Sequence, residues 1–402
     1  MTDLSGKTII LGVSGGIAVY KAVELLRLLS KAGAEVHVVM TKAATEFVTP
    51  LTFQTLSHNP VHTELFNLIQ EQEIGHISLA DRADLFLIAP ATANIIGKVA
   101  SGIADDLLTT TIMATKAPVL FAPAMNVNMY QNPLYQENKA KLRRHGYRFV
   151  DAECGSLACG WEGGGRLASP ERIFDEACCL LSANDLSGET ILITAGPTRE
   201  ELDPVRYISN HSSGKMGYAI ARAARHRGAR VLLVSGPTCL QPPAGVELIS
   251  VESARQMQQA VMERVGECTV VIKAAAVADY RPCVRHDNKL KKKDDQLCIE
   301  LEKNPDILAE LGQLAKRPIL IGFAAETADL QANASSKLAA KNLDMIVAND
   351  VSQEGAGFNV STNIARFIFR SGETEFQGLM SKDTLADLIL DRIKGIATIN
   401  SY

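Results

Sequence analysis

Short apolar runs alternate with helical patterns along the chain, and two of these runs end in a glycine turn. The first run, Thr8–Val13, leads through Ser14-Gly15-Gly16 into the amphipathic segment Ala18–Lys31. The second run, Thr190–Thr194, leads into Ala195-Gly196-Pro197 near the midpoint of the chain. A buried parallel strand that ends in glycines and continues into a helix presents backbone N–H groups and the positive end of the helix dipole to a ligand. The pattern therefore predicts a phosphate-binding turn in each half.

The alternation of strands and helices predicts a mostly parallel sheet in each half. In the first half we expect strands at Thr8–Val13, Glu35–Met40, Leu85–Ala89 and Val119–Ala122, and helices at Ala18–Lys31, Asn94–Thr115 and Pro170–Leu181. In the second half we expect strands at Thr190–Thr194, Arg230–Val234, Thr269–Ala274, Pro318–Ala324 and Met345–Ala348, and helices at Gly217–Arg227, Ala254–Val265 and Ala328–Lys341.

Three segments interrupt this alternation. Asp151–Gly165 is rich in glycine and is predicted to be a long loop, a kind of segment that is usually functional or disordered. Arg281–Gln296 is polar, contains the run Lys289–Lys293 and is predicted to be a mobile flap. The polar link Ser182–Gly188 separates the halves, so we place a domain boundary there. The prediction is an α/β protein with two doubly wound domains, residues 1–187 and 188–402.

Composition excludes several classes of function. The chain has 402 residues with a net charge of -4 and no recurring basic stripe, so nucleic acid is not an expected partner. No apolar stretch reaches the ~20 residues of a membrane helix, and no signal peptide precedes the first strand. The eight cysteines are scattered, and Cys154 and Cys159 lack a second nearby pair, which disfavours disulfides and a zinc site. We expect a soluble protein of the reducing cytoplasm.

Polar side chains follow the strands of the first half at the edge where open α/β sheets bind ligands. The turn at Gly15 and Gly16 lacks the G-x-G-x-x-G dinucleotide fingerprint, and no acidic residue ends the second strand, which favours a mononucleotide over NAD. Thr92 and Asn94 either cap a helix or bind phosphate oxygens. Asn126 carries both a donor and an acceptor and could hold a carboxylate.

Several motifs of the first half resemble those of the flavin-dependent cysteine decarboxylases. The matching segments are Gly15–Lys21, Ala89–Asn94, Pro123–Tyr130 and Ala158-Cys159-Gly160 with Gly165-Arg166. Tyr130 stands where many members carry tryptophan, which keeps an aromatic ring. The resemblance implies a flavodoxin- or Rossmann-like flavoprotein domain whose FMN contacts are Gly15, Gly16, Ile17, Thr41, Thr92, Ala93, Asn94 and Ala124. It also implies His76 as the family's histidine, Asn126 as the substrate-binding asparagine and Cys159 as the reducing cysteine.

The chemistry of cysteine decarboxylation explains why a flavin and a thiol would be needed. A carboxylate beside an amide nitrogen and a CH₂SH group has no electron sink, so its direct decarboxylation would leave an unstabilised carbanion. Oxidation of the thiol by FMN creates a thioaldehyde that accepts the electrons as CO₂ leaves, and the resulting enethiolate is then reduced. Cys159, on a glycine-rich flap, could supply the proton for that last step.

The second half contains a long polar segment and two strands with chemically distinctive ends. Ser213-Gly214-Lys215-Met216 is not a P-loop, because Met216 stands where a magnesium-binding Ser or Thr belongs. Asn210 precedes the helix predicted at Gly217–Arg227, where it could orient an acyl or phosphoryl oxygen. The strand from Lys273 ends in small residues and then Asp279, which could bind a ribose hydroxyl or Mg²⁺. Phe323, at the end of another predicted strand, could stack on a base.

These motifs resemble phosphopantothenate–cysteine ligase, and both halves together resemble the bacterial bifunctional coenzyme A biosynthesis family. The resemblance implies a Rossmann-like ligase domain that activates 4′-phosphopantothenate with CTP and Mg²⁺ before cysteine displaces CMP. Asn210 matches the residue associated with turnover of the acyl-cytidylate. The implied CTP contacts are Ala274, Ala275, Ala276, Asp279, Lys289, Pro305, Asp306, Ile307, Leu308, Phe323, Lys337 and Lys341. The family also implies a homo-oligomer, with trimers of the flavin domain and dodecamers of the whole chain.

Two other functions compete with this interpretation. A tandem nicotinamide oxidoreductase is disfavoured by the missing fingerprint and the missing ribose-binding acid. A catalytically silent flavoprotein that acts as a binding partner is disfavoured by the presence of His76, Asn126 and Cys159.

Overall fold

The computed structural model describes residues 3–65, 75–156, 160–291, 297–326, 330–350, 357 and 359–400. The chain divides into two compact units, residues 2–182 and residues 183–402. The division falls within the polar link Ser182–Gly188. No helix among the described residues is long and apolar enough to span a bilayer.

The first unit is built on a parallel sheet with helices on both faces. Its elements are β1 Thr8–Val13, α1 Val19–Lys31, β2 Glu35–Met40, α2 Lys42–Thr45, α3 Pro50–Ser57, β3 Val61–His62, α4 Gly75–Arg82, β4 Leu85–Ala91, α5 Ala93–Ala100, α6 Leu107–Ala114, β5 Val119–Pro123, α7 Val127–Gln131, α8 Pro133–Arg144, β6 Arg148–Phe149, β7 Glu153–Ser156, β8 Glu162–Arg166 and α9 Pro170–Leu181.

The order of strands in this sheet is β3-β2-β1-β4-β5-β6, and all described pairs in it are parallel. The chain reverses its direction of winding between β1 and β4, so a crevice opens at the carboxyl ends of these two strands. Without the two-residue β3 the order is that of flavodoxin, and with it the order is that of the dinucleotide-binding fold.

Burial on both faces explains why the strands are continuous apolar runs. In β1, Ile9 and Leu11 belong to the cluster shared with α1 and α9, whereas Ile10 belongs to the cluster on the opposite face. All three side chains are fully buried. A parallel sheet covered on both sides excludes the polar alternation of a half-exposed strand.

Two sequence-based predictions for this unit are wrong. The segment Asn94–Thr115 is not one helix, because α5 ends before Gly102 and α6 starts at a new N-cap, Asp106. Gly102 has φ 71°, and the Asp106 side chain accepts from the N–H of Thr109 at 2.8 Å. The segment Asp151–Gly165 is not only a loop, since β7 and β8 pair as an antiparallel hairpin. A left-handed residue and a strong N-cap end one helix and begin another.

The second unit repeats the architecture with an antiparallel extension. Its elements are β9 Thr190–Ala195, β10 Arg199–Glu201, β11 Tyr207–Ser209, α10 Lys215–His226, β12 Arg230–Ser235, β13 Glu247–Ser250, α11 Ala254–Arg264 followed by a 3-10 turn at Val265–Glu267, β14 Val270–Lys273, β15 Tyr280–Pro282, β16 Leu301–Lys303, α12 Ile307–Gly312, β17 Ile319–Glu326, α13 Leu330–Ala340, β18 Met345–Asp350, β19 Thr362–Phe369, β20 Thr374–Ser381 and α14 Lys382–Asn400.

The order of strands is β13-β12-β9-β14-β17-β18-β19-β20, in which the first six are parallel and the last two are antiparallel. The winding reverses between β9 and β14, which places a second crevice at the ends of these strands. The predicted α/β class with two doubly wound domains is confirmed. The antiparallel pair β19–β20 and the long helix α14 were not predicted.

Candidate functional site

A cavity of about 910 Å³ opens at the crevice of the first unit. That volume lies within the range of small-molecule sites. Predicted residues that line it are Gly15, Gly16, Ile17, Thr92, Ala93, Ala124 and Asn126. Further lining residues, which the sequence reasoning did not assign, are Ala18, Tyr20, Lys21, Met125, Met129, Ser156, Gly165, Arg166 and Leu167. The structure therefore brings most of the predicted flavin-contact residues together with Asn126.

The two glycines after β1 are required for different reasons. A Cβ on Gly15 would lie 2.5 Å from the Cβ of Ala43 and 2.8 Å from its carbonyl oxygen, so the backbone of α2 excludes any side chain there. A Cβ on Gly16 would meet only the Cγ2 of Thr92, at 4.0 Å. Space beside Gly16 is therefore open to a ligand, and Gly15 permits the close packing that forms the turn.

The hairpin β7–β8 reaches the cavity through glycines packed against the turn before α7. The N–H of Met125 donates to the carbonyl oxygen of Gly165 at 2.9 Å. A Cβ on Gly165, whose φ is 116°, would lie 2.4 Å from the carbonyl oxygen of Met125. Asn126 caps α7, and its side-chain oxygen accepts from the N–H of Asn128 at 2.9 Å. These contacts orient Asn126 and place the end of β8 at the cavity wall.

Positive side chains at this wall were quoted in the sequence motifs but not assigned a role. Lys21 lines the cavity and its Nζ donates to the carbonyl oxygen of Leu167 at 3.3 Å. Arg166, at the end of β8, lines the same cavity. Two cations beside a polar amide make the cavity suitable for an anionic ligand.

Four predicted residues of the first half are not among the cavity-lining residues. Thr41 caps α2, where its side chain accepts from the N–H of Ala44 at 3.3 Å. Asn94 is exposed in the first turn of α5. His76 lies in α4, and its Nδ1 is buried without a hydrogen-bond partner among the described residues. Cys159 falls outside the described residues.

Threonine hydroxyls join the strand ends at the crevice of the second unit. Thr194 accepts from the N–H of Ala275 at 3.2 Å, and Thr198 accepts from the N–H of Ala278 at 3.1 Å. Both threonines are buried and follow or end β9. The segment after β14 therefore lies directly against the turn after β9, with its small side chains at the crevice.

Asn210 is brought to this crevice from a distant part of the sequence. Its Nδ2 donates to the carbonyl oxygen of Ala276 at 3.1 Å. The N–H of Ala276 in turn donates to the carbonyl oxygen of Gly196 at 3.0 Å. Asn210, Ala276 and Gly196 thus form one hydrogen-bonded group. Gly196 has φ 73°, and a Cβ there would lie 2.9 Å from the carbonyl oxygen of Gly236.

A cluster of charges lies between β14, α12 and α13. The Nζ of Lys341 forms an ion pair with Asp306, the N-cap of α12, at 2.9 Å. Lys273 ends β14 and is half-buried as a residue. The pKa of Lys273 is lowered to about 8, mainly because its ammonium is buried and secondarily because Lys341 carries a positive charge. The negative charges of Asp306 and Asp279 act in the opposite direction. Lys273 has no role among the sequence-based predictions.

For some predicted CTP-contact residues, only main-chain atoms could reach a ligand, because their side chains are buried in the hydrophobic core. Ile307 and Leu308 are buried in the hydrophobic cluster that α12 shares with the sheet, so only their main-chain atoms could meet a ligand. Pro305 is half-buried just before them. Phe323 packs against the cluster on the opposite face of the sheet from α12. The structure therefore does not group the Phe323 ring with the side chains of α12.

The remaining predicted residues are exposed. Asp279 follows the small residues after β14, and Lys289 and Lys337 are also exposed. No group of three or more His, Cys, Asp or Glu residues arranged to hold a metal occurs within the described part of the chain. A metal at Asp279 would need further ligands, and Mg²⁺ commonly takes these from water and substrate phosphates.

Known proteins match both units of the chain. Residues 1–182 match the family model named Flavoprotein, and residues 186–396 match that of the DNA/pantothenate metabolism flavoprotein C-terminal domain. The coenzyme A biosynthesis bifunctional protein CoaBC of Bacillus subtilis (strain 168) is 50% identical over 398 residues, which cover 98% of each chain. That of Escherichia coli (strain K12) is 48% identical over 396 residues, covering 97% of each chain. The chain belongs to this bifunctional coenzyme A biosynthesis family.

The crystal structure of the C-terminal domain of a coenzyme A biosynthesis bifunctional protein is 46% identical, covers 54% of this chain and 99% of its own, and has a TM-score of 0.47. Membership of the bifunctional family makes the chain a multifunctional enzyme of coenzyme A biosynthesis with a flavoprotein unit. The family relationship extends over nearly the full length of this chain and of its relatives.

Proposed function

We propose that this chain carries out two consecutive reactions of coenzyme A biosynthesis. Residues 188–402 join cysteine to 4′-phosphopantothenate with CTP through an acyl-cytidylate. Residues 1–187 then decarboxylate the product, 4′-phosphopantothenoylcysteine, to 4′-phosphopantetheine with FMN. The observation that carries the proposal is that residues matching each activity meet at the crevice of the corresponding sheet, with Asn126 at one and Asn210 at the other.

The residues of the first cavity fit FMN. Open space beside Gly16 suits a phosphate or ring edge at the end of β1, where a side chain would fill the cavity. Ile17, Met125 and Met129 offer apolar surface for a flat ring system, and Thr92 offers a hydroxyl. When bound, FMN would supply reversible two-electron oxidation, which the amino acid side chains at this cavity cannot provide.

The chain's own groups would bind and orient the decarboxylation substrate. The bond that the Asn126 oxygen accepts from the N–H of Asn128 orients this amide, whose nitrogen would donate to the substrate carboxylate. Lys21 and Arg166 would attract the negative charges of the substrate. We assign His76 to the same reaction, and Cys159 to protonation of the enethiolate product.

In the second unit, lysines would neutralise the charge that develops as pyrophosphate leaves. Lys341 is already held by Asp306, and Lys273 lies within its electrostatic influence. Lys337 and Lys289 would add further positive charge. Asn210, fixed against Ala276, would hold the activated acyl group for attack by the amine of cysteine. Asp279 would contribute one ligand to Mg²⁺, with the phosphates of CTP completing its coordination.

The assembly is proposed to be a homo-oligomer, with trimers of the flavin domain and dodecamers of the chain. Ile17, Tyr20 and Met129 line the first cavity yet are 60%, 54% and 48% exposed, respectively. Large exposed apolar side chains beside a ligand cavity support a subunit interface there. No disulfide joins the seven cysteines among the described residues, which supports a reducing compartment, and we propose the cytoplasm.

One coupled assay tests the proposed function. The purified full chain is incubated with 4′-phosphopantothenate, cysteine and CTP, and pyrophosphate, CO₂ and 4′-phosphopantetheine are measured. We expect all three products, and none when any one substrate is omitted. A bound yellow chromophore without any of the products would indicate a silent flavoprotein. Product formation that requires a nicotinamide cofactor instead of CTP would contradict the proposed CTP-dependent ligation of cysteine.

A further inference from the structure

Asp203 is a buried carboxylate with an unusually complete set of hydrogen-bond donors. It lies in the turn between β10 and β11, and its side chain is fully buried. One oxygen accepts from the N–H groups of Val205 and Arg206, both at 2.9 Å. The other accepts from the guanidinium of Arg206, with Nε at 3.0 Å. The Arg206 guanidinium holds the pKa of Asp203 well below its usual range, so the carboxylate stays charged at neutral pH.

The same carboxylate binds a segment far away in the sequence. The N–H of Leu290 donates to Oδ2 of Asp203 at 3.1 Å, and Nη2 of Arg206 donates to the carbonyl oxygen of Leu290 at 3.0 Å. A further bond joins the N–H of His286 to the carbonyl oxygen of Leu202 at 3.0 Å. Both main-chain polar groups of Leu290 are therefore held by the Asp203–Arg206 pair.

Lys289 immediately precedes this fixed residue. Its side chain is exposed, and a long flexible lysine gains little orientation from its own contacts with water. Anchoring the main chain at Leu290 restricts where the ammonium of Lys289 can reach. Restriction of this kind lowers the entropy that must be lost when a charged group meets a substrate.

The turn that holds Leu290 also leads into the strand that precedes Asn210. β10 and β11 pair antiparallel, with Glu201 opposite Tyr207, and β11 ends one residue before Asn210. Ser209 donates to the carbonyl oxygen of Thr198 at 2.7 Å, which ties the end of β11 to the crevice. One carboxylate thus connects the segments that carry both candidate groups of the ligation.

We propose that Asp203 is a positioning residue for ligation, which holds the Lys289 segment in a fixed relation to the strand that carries Asn210. This role rests on the proposed ligase function. It assigns Asp203 to formation of the acyl-cytidylate, in which the carboxylate of 4′-phosphopantothenate attacks the α-phosphorus of CTP and pyrophosphate leaves. Asp203 touches neither substrate and acts through the main chain of Leu290.

The variant Asp203→Asn tests this role in the full chain. The amide keeps the shape but repels one of the N–H donors at Oδ2, so the Leu290 anchor is weakened. We expect kcat for 4′-phosphopantothenate-dependent pyrophosphate release to fall about 10–100-fold, because small displacements of a catalytic group have effects of that size. KM for CTP should change little. Decarboxylation of supplied 4′-phosphopantothenoylcysteine should not change, since it occurs in the other unit.

A matched control separates positioning from stability. Asp344 is also a buried carboxylate bound by an arginine fork, with Nη2 of Arg317 at 2.9 Å, and it also accepts a backbone N–H, from Leu320 at 2.8 Å. It lies at the amino end of β18, away from the Lys289 segment. Asp344→Asn should lower the free energy of unfolding with a normal rate of pyrophosphate release.

A double variant with Asp203→Asn and Lys289→Gln tests whether Asp203 acts through Lys289 or whether its loss causes a general defect. If Asp203 acts through Lys289, the double variant should release pyrophosphate no more slowly than Lys289→Gln alone. Arg206→Lys provides a second variant if Asp203→Asn does not fold, because it removes the Nη2 donor to Leu290 and should show the same defect.

Two outcomes would overturn the role of Asp203. One is a rate for Asp203→Asn equal to that of Asp344→Asn. The other is a double variant that is slower than Lys289→Gln by the full factor of the single Asp203 variant. A wild-type chain that releases no pyrophosphate from CTP would instead refute the ligase function itself, and the positioning role with it.

Discussion

The buried hydroxyl of Ser14 accepts a hydrogen bond from the backbone N–H of Thr92 at 3.0 Å and donates to the carbonyl oxygen of Pro90 at 2.7 Å. Ser14 follows β1 and Thr92 follows β4, so these bonds join the two strand ends at which the sheet reverses its winding. The second unit uses hydroxyls in the same place, with Thr194 bonded to Ala275. In both units a hydroxyl side chain thus fixes the width of the crevice.

Replacement of Ser14 should therefore weaken flavin binding. Ser14→Ala leaves the partly buried N–H of Thr92 and the buried carbonyl of Pro90 without this partner, at a cost of about 1–3 kcal/mol. We expect a lower melting temperature and a higher dissociation constant for FMN, measured by flavin fluorescence. Thr111→Val is the matched control, because Thr111 is buried and its hydroxyl bonds within α6 to Leu107. Flavin affinity unaltered in Ser14→Ala would contradict the role of this bond.

Gly16 should be needed for the flavin and not for the fold. A side chain at Gly16 would enter the open space next to Thr92, whereas no protein atom lies closer than 4.0 Å to its Cβ. Gly16→Val should therefore purify as a folded but colourless protein. Gly97→Ala, in the interior of α5 with its Cβ 3.8 Å from Asn138, should stay yellow and be slightly more stable. Full flavin content in Gly16→Val would show that the cavity is not the flavin site.

His76→Asn should abolish decarboxylation and leave ligation intact. His76 belongs to the first unit, and its buried Nδ1 lacks a protein partner among the described residues, which suits a group that meets a ligand. The expected result is accumulation of 4′-phosphopantothenoylcysteine with normal pyrophosphate release. His145→Asn, at the exposed C-cap of α8, should behave as the wild type. Loss of both activities in a well-folded His76 variant would contradict the assignment of decarboxylation and ligation to separate units.

Lys289→Gln and Asn210→Asp should block different steps of ligation. The charge of Lys289 is needed as pyrophosphate leaves, so its loss should slow formation of the acyl-cytidylate severely and leave only a residual rate. Asn210→Asp should allow the acyl-cytidylate to form but slow its reaction with cysteine, because a carboxylate beside Ala276 would repel the phosphoryl oxygens. Pyrophosphate release and trapped intermediate are measured separately. Accumulation of the intermediate in the Lys289 variant would reverse the assignment.

Lys273 should make the stability of the free protein depend on alkaline pH. Its folded pKa of about 8 lies below the ordinary value of 10.5, so protonation in the folded state is disfavoured. The resulting destabilisation is fully present below pH 8 and disappears as the pH rises through 10.5. Lys273→Met should therefore raise the free energy of unfolding more at pH 7 than at pH 10, by up to about 2.5 kcal/mol.

Urea unfolding at both pH values measures this difference. Lys316→Met, which removes the charge of an exposed lysine, is the matched control. Saturating CTP should reduce the difference, because bound phosphates would favour the charged form of Lys273. Equal stabilisation of Lys273→Met at pH 7 and pH 10 would contradict the lowered pKa.

Strands could be predicted from the sequence more accurately than the connections between them. β1 and β2 lie at the residues predicted, since strands buried on both faces are continuous apolar runs with little ambiguity. The break between α5 and α6 was missed because the apolar pattern continues across it, whereas a left-handed Gly102 and the cap at Asp106 end it locally. The edge strand β20 was missed because none of its side chains is fully buried, so it carries no strong apolar signal.

The sequence by itself determined the two glycine turns, the parallel sheets and the types of side chain at the strand ends, because these depend on local periodicity and on conformations that only certain residues adopt. It could not determine that Asn210 meets Ala276, that Lys341 pairs with Asp306, or that Asp203 binds Leu290. These contacts join segments that are distant in the chain. Only the order of the strands, set by burial of both faces of the sheet, brings them within hydrogen-bond distance.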